Sequence, residues 1–355
     1  MTRTNPAGDP KPLIALTMGD AAGVGPEVIA RAWGEADLFA LARPLVLGDP
    51  GTMERALATV GVAAKVHVIA DPVESAPGPG RLPVLPATDV DLSGVRLGEI
   101  DARAGRAAYD FLVRGIELAQ SGRVDAITTL ALNKESLRAA GIEHPGHTEI
   151  LAERCGVADV AMMLYVGPPV AAGPGGLGVI HATLHVPLRA VFDLLTPERL
   201  RASIALADAA MRPFLAGDRP RLAVAGLNPH AGEHGLFGRE EIEIIAPAVE
   251  SARAEGFDVS GPIAADTLFN RALAGGFDAI IAMYHDQGHV ALKSVGFDHA
   301  VNVTLGLPIV RTSVAHGTAF DIAGRGEART TSLIAAVRVA AQLASAKRVR
   351  EPEAE

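Results

Sequence analysis

The sequence predicts an α/β protein of about two domains built on mostly parallel sheets. Three observations lead there. Apolar runs of strand length alternate with stretches of helical periodicity along the chain, the pattern of parallel strands covered by helices on both faces. Proline stands at the head of two helical stretches, Pro26 and Pro187, where a helix has no use for the amide. The 355 residues suffice for about two domains.

Taken in order, PLIALTM reads as a strand leading through a glycine-rich turn into the helix PEVIARAW. RAAYDFLVRGIELAQ has helical periodicity and precedes the strand-like DAITTLAL. LGVIHATL runs into a helix opened by Pro187, VPLRAVFDLL. RLAVAGL precedes a polar loop and the helix EEIEIIAPAVESARAEG, and FDAIIAMY runs directly into HDQGH. PVESAPGPGRLPVLPATD reads as a surface loop and GPPVAAGPGG as a second loop or hinge. There is no internal repeat, and both chain ends read as solvated tails.

Composition bounds the function. At 49% hydrophobic and 21% charged residues the chain has a globular balance with material for a sizeable core. A formal net charge of -9 argues against a general nucleic-acid surface, so an anionic small substrate must be held by a local cluster of bases. Cys155 is the one cysteine, which excludes an intrachain disulfide and fits a reducing, cytoplasmic location. No apolar run approaches the ~18 residues of a membrane span.

Ligands of open α/β sheets sit beyond the carboxyl ends of the strands, and that rule sorts the histidines. His185, His230 and His285 each follow a strand-like run, whereas His181 lies inside one and reads as core. Three imidazoles can hold a divalent ion and leave positions open for substrate. Asp286 beside His285, and Asp266 in GPIAADTLF, are carboxylates of the kind that orient imidazole ligands or move protons. His289 lies four residues beyond His285, but the intervening Gly288 disfavours a continuous helix, so a shared helical face is not expected. GDAAGVGPE lacks both the P-loop and the GxGxxG spacing and reads first as a tight strand-to-helix turn. SVAHGTAFDIAGRGEA carries Gly317, Gly324 and Gly326, with His316 placed to meet an adenine and Asp321 a ribose hydroxyl. Lys293, Asn302 and Arg311 put polar groups beside apolar segments and suggest an anion site, joined by His147 and Thr148 of PGHTE.

MGDAAGVGPE, PGHTEILAE, LHVPLR, GLNPHAGEHGLFGREE, GPIAADTLF, MYHDQGH and VNVTLGLPIVRTSVAHGTA together resemble the signature blocks of the 4-hydroxythreonine-4-phosphate dehydrogenase family, in family order, from about residue 13 to 330. The resemblance implies a two-domain α/β/α subunit of the isocitrate and isopropylmalate dehydrogenase type. One discontinuous domain would span 1–140 and 300–355 with the nucleotide loop, and a central domain 141–299 would carry the metal ligands and dimer interface. It further implies a homodimer sharing its active site. His185, His230 and His285 would hold a divalent metal (Zn, Mn, Mg or Co), and His147, Thr148, Lys293, Asn302 and Arg311 would contact substrate. NAD or NADP would bind through His316, Gly317, Asp321 and Gly324. Ala315 stands where the family has aspartate, and Met18 and Ala21 where many members have proline. PGHTEILAE and LHVPLR look closer to a divergent branch acting on D-threonate or D-erythronate 4-phosphate or on a cyclic dihydrodiol carboxylate.

The expected reaction is metal-assisted oxidation of an alcohol with decarboxylation. Lys293 would serve at the anionic end of the substrate and in catalysis. Asp266 or Asp286 would accept the hydroxyl proton or tune the histidines, two roles the sequence leaves open. A metal-dependent lyase would use the same histidines but has no need of the HGTAFDIAGRG loop, and a non-catalytic binding module has no need of convergent metal and anion groups.

Overall fold

The computed structural model describes residues 11–157, 160–215 and 217–350. Of the terminal tails read from the sequence, 1–10 and 351–355 lie outside the described residues, and 346–350 close the last helix. The chain divides into two compact units, Met1–Val160 with Leu307–Glu355, and Ala161–Gly306.

The first unit begins with β1 (Leu13–Thr17), α1 (Gly25–Ala32), α2 (Ala36–Leu41), β2 (Arg43–Gly48), α3 (Pro50–Val60), β3 (Lys65–Val68) and β4 (Arg81–Pro86). It continues with α4 (Ala102–Gln120), β5 (Ala126–Thr129), α5 (Lys134–Ala139) and α6 (His147–Cys155). The second holds β6 (Ala161–Val166), β7 (Leu177–His181), α7 (Val191–Leu194), α8 (Pro197–Met211), β8 (Leu222–Ala225) and α9 (Ala246–Ala254). It is completed by β9 (Val259–Ile263), α10 (Ala265–Leu273), β10 (Ala279–Ala282), α11 (His285–Gly296) and β11 (Val301–Leu305). The chain then returns to the first unit with β12 (Arg311–Val314) and α12 (Thr331–Arg350).

Strands of the first unit run β3-β4-β2-β1-β5-β12, all parallel. Alternation along β1 separates two cores. Ile14 and Leu16 join Val28 and Ile29 of α1 and Leu333 and Val337 of α12. Leu13 and Ala15 join Leu112 and Ile116 of α4 and Ile150 and Leu151 of α6. The sheet is therefore covered on both faces, which is why β1 and β2 are buried at every position. Each large apolar side chain so buried contributes about 1.5–3 kcal/mol. Residues 141–160 belong to this unit because α6 packs on α4, so the division falls later than residue 140.

In the second unit β11 and β7 flank β6 antiparallel, and β7-β10-β8-β9 follow in parallel. Four segments depart from the sequence reading. The proline-rich segment read as a surface loop contains β4, paired on both sides, because Leu82, Val84 and Leu85 fill both cores despite Pro83 and Pro86. The stretch after Pro187 forms only a 3-10 turn and the one-turn α7. EIEII is a π-helical segment ahead of α9. Gly288 does not interrupt α11, which runs unbroken from His285 to Gly296.

Candidate active site

The carboxyl ends of neighbouring parallel strands in the second unit carry the candidate metal ligands. β7 ends at His181 and leads to His185, β8 leads to His230, and His285 opens α11 just past β10. Asp266 lies in the first turn of α10, just past β9, and is exposed. His185 and His230 adopt left-handed backbone conformations, φ 51 and 54. Histidine enters that region more readily than most residues but at a cost, and such outliers concentrate at functional sites. Around His230 the left-handed run extends through Ala231, Gly232, Glu233, His234 and Gly235. The buried Glu241 carboxylate supports it, accepting the amides of Leu227 at 2.8 Å and Asn228 at 2.7 Å and the Asn228 side chain at 3.0 Å.

His185 and His285 face one another with ring centroids 5.5 Å apart. They line a cavity of about 310 Å³ with Thr183, Tyr284 and Asp286. Asp286 Oδ1 lies 2.6 Å from His285 Nδ1, the kind of contact by which a carboxylate orients an imidazole ligand. His285 also borders a second cavity of about 350 Å³ with His289 and Lys293. His230 stands apart in its contacts, edge-on to Phe237 and 3.5 Å from Glu233. Among the described residues no three His, Cys, Asp or Glu already stand at coordinating geometry. The donor chemistry suits a borderline divalent ion. The left-handed backbone at two of the three imidazoles and the Asp286 bond are features of this fold consistent with such a role.

His289 overturns the expectation that it shares no face with His285. The rings stack 3.9 Å apart and 9° from parallel, and His289 Nδ1 meets His181 Nε2 at 3.2 Å. The glycine is what permits this, since a Cβ at 288 would fall 2.5 Å from His181 Nε2 and 2.7 Å from Val179 Cγ1. Burial is the main reason His181 is lowered to about 4 and His289 to about 3, so both are neutral at pH 7.

A second group lies in the first unit. His147 and Thr148 open α6, a helix start without a side-chain cap, where the first-turn amides favour an anion. Arg311 is buried on β12 and donates to Thr129 Oγ1 on β5 at 2.6 Å. Burial lowers its guanidinium to about 9, which leaves it cationic at neutral pH. Burial first, and then the charge of Arg311, hold the half-buried His147 well below the usual imidazole value, opposed by a bond to the Leu130 backbone. In the second unit Lys293 is half-buried on α11, its Nζ 5.8 Å from the Phe297 ring centre, and Asn302 Oδ1 on β11 is buried with no partner among the described residues. The candidate cofactor loop follows β12. His316 is half-buried, with Nδ1 2.8 Å from Gly317 O and Nε2 without a partner among the described residues, while Gly317, Asp321 and Gly324 are exposed.

Comparison with known proteins adds to this geometry. The family described as pyridoxal phosphate biosynthetic protein PdxA matches residues 40–340. The chain belongs to the PdxA family. It is 46% identical over 335 residues to the D-threonate 4-phosphate dehydrogenase of Bordetella bronchiseptica, covering 94% of this chain and 93% of that one. It is 44% identical over 333 residues to the 4-hydroxythreonine-4-phosphate dehydrogenase of Desulforapulum autotrophicum, covering 94% and 96%. The crystal structure of a 4-hydroxythreonine-4-phosphate dehydrogenase from Klebsiella pneumoniae superposes with a TM-score of 0.83 at 44% identity, covering 94% and 98%. The PdxA fold, with its largely parallel sheets, is thus the fold read from the sequence.

Several supporting residues of this PdxA-family chain escaped sequence reading. Gln287 bridges two strand ends, accepting the Met283 amide at 2.7 Å and donating to Gly226 O at 2.8 Å. Glu241 and Glu27 are buried carboxylates bonded to loop amides. Their sole signal was a charged residue within an apolar helical stretch.

Proposed function

We propose that the protein is an NAD(P)-dependent, divalent-metal-dependent dehydrogenase that oxidises the secondary alcohol of a phosphorylated four-carbon hydroxy acid and releases carbon dioxide. D-threonate 4-phosphate and 4-phosphooxy-L-threonine are the two substrates that the relatives' activities point to. The main support is the placing of His185, His230, His285 and Asp266 just past the ends of four adjacent parallel strands.

His185, His230 and His285 would hold the metal. When bound, the ion would supply Lewis-acid polarisation of the substrate hydroxyl and of the ketone made from it, and the nicotinamide would accept the hydride. Asp286 orients the His285 imidazole, and Asp266 or Asp286 accepts the hydroxyl proton. Arg311 and the α6 amides at His147 and Thr148 bind an anionic group of the substrate, and Lys293 and Asn302 supply further contacts. Lys293 also serves to return a proton to the carbon left by carbon dioxide. The loop from His316 to Gly324 binds the dinucleotide, with Asp321 accepting from a ribose hydroxyl.

The active form is a homodimer with a shared site. Val290 is exposed on α11 and Phe297 just past its C-terminal end, with Leu236, Phe237 and Ile242 exposed beyond β8. No helix among the described residues is long and apolar enough to cross a membrane, and with a single cysteine the protein suits the cytoplasm. A panel of phosphorylated C4 hydroxy acids and dihydrodiol carboxylates, each assayed with NAD and NADP and with added Zn, Mn, Mg or Co, tests the reading. Reduced cofactor with a phosphorylated C4 acid alone is expected. Turnover of the dihydrodiol only, or cleavage without reduced cofactor, would overturn it.

A further inference from the structure

The turn that opens the chain and the loop that follows β12 form one structure. α1 begins just after Gly23 and Val24, and the Val24 amide donates to Thr318 O at 2.9 Å. A Cβ on Gly23 would fall 2.7 Å from Thr318 O, so only glycine lets the two segments close. Gly98 donates to Ala22 O at 2.8 Å and packs against the same loop, where a Cβ would fall 2.8 Å from Phe320 O.

Glu27 makes the tightest tie. It is 4% exposed. One carboxylate oxygen accepts the Gly324 amide and the other accepts the Gly326 amide at 2.8 Å. One turn along α1, Arg31 Nη1 donates to Gly326 O at 2.6 Å. Gly324 and Gly326 are left-handed, φ 84 and 65, the conformation that turns both amides toward one acceptor. A pair of glycine amides converging like this is the usual cradle of a phosphate. Here a carboxylate of the protein fills it, and bonds to a charged acceptor are the stronger kind.

We infer that Glu27, with Arg31 tied to the same loop, is a positioning residue for the dinucleotide. It occupies the amide cradle of the loop from within, so the loop meets the cofactor with His316 and Asp321 at the adenosine end and not with phosphate-binding amides. Among the described residues the buried Nε2 of His316 has no hydrogen-bond partner. The inference rests on the reading of residues 316–326 as the cofactor loop.

The test pairs hydrogen exchange of the intact, ligand-free protein with NAD binding. In Glu27→Gln the Gly324 and Gly326 amides should exchange about tenfold faster or more, the loss of bonds to a charged acceptor. The KM for NAD should rise about tenfold with kcat changed by less than about twofold, and bound zinc should stay as in wild type. Arg31→Ala, a change at an exposed side chain, should shift the same quantities in the same direction by less, and it decides the matter should Glu27→Gln fail to fold. Unchanged exchange at both glycines would overturn the clamp. Faster exchange with unchanged NAD binding would overturn the positioning role and place the cofactor away from this loop. Tighter binding of inorganic pyrophosphate by Glu27→Gln, with NAD affinity raised, would show that Glu27 competes with the cofactor and overturn the inference.

Discussion

Replacing Arg311 by methionine should stabilise the ligand-free protein and abolish its response to anions. The side chain sits on β12 at 5% exposure. Burial takes its guanidinium from 12.5 down to about 9. At about 1.4 kcal/mol per pH unit, that fall corresponds to about 5 kcal/mol for keeping the charge inside the protein. Relaxation around the site discounts this upper figure. Methionine has a similar length and no charge, and it forfeits the side chain's polar contacts, of which the bond to Thr129 Oγ1 contributes about 1–3 kcal/mol. A net gain of about 1–3 kcal/mol should raise the melting temperature by about 2–10 °C. Scanning calorimetry with and without inorganic phosphate reads both halves. Wild type should melt higher with phosphate, by about 2.7 kcal/mol of stabilisation at a hundred times Kd. The variant should start higher and not move. Arg311→Lys should keep only part of the shift, because the bidentate fork is gone. A less stable Arg311→Met that still responds to phosphate as wild type does would refute the reasoning.

Single alanine variants at His185, His230 and His285 should each lose bound metal and activity, whereas His289→Leu should keep metal within about tenfold of wild-type affinity; full occupancy in His285→Ala by metal analysis would remove it as a ligand. His147 is held below its ordinary value of 6.5, chiefly by burial, so its contribution to stability is present above pH 6.5 and lost as pH falls below it. His147→Gln should therefore flatten the decline of stability under acid, and parallel denaturation curves for variant and wild type would contradict this. Asp321→Ala should raise the Kd for NAD about two- to tenfold, the loss of one hydrogen bond, with metal content constant; coincident NAD titrations would move the ribose elsewhere. Inactive variants altered at a metal ligand and at Arg311 should regain partial activity when mixed as heterodimers, and a mixture that stays inactive despite subunit exchange would argue against a shared site.

Much of this was legible in the chain. Strand-end histidines could be found because both the strand pattern and the following turn are local: FDAIIAMY announces a buried strand, and His285 is the residue that directly follows it. What sequence reading missed depends on contacts across long separations. The propensity cost of Gly288 argued for a break in the helix, yet the residue that requires glycine there is His181, at the end of β7. The left-handed run at His230 needs Glu241, which looked like one acid of an amphipathic helix. Glu27 was not singled out because its amides lie almost three hundred residues on. β4 was hidden by its prolines, since the apolar residues between them show their value only when both sheet faces are in view.

The central claim is redox chemistry at the alcohol of a phosphorylated C4 acid, and hydride tracing tests it most directly. Substrate deuterated at the carbon bearing that hydroxyl would be incubated with oxidised cofactor, metal and enzyme, and the nicotinamide and evolved carbon dioxide analysed together. The account predicts deuterium on the reduced nicotinamide and one carbon dioxide for each deuteride transferred. Carbon–carbon cleavage with the deuterium retained in the carbon product and the nicotinamide still oxidised would contradict it and make the protein a lyase.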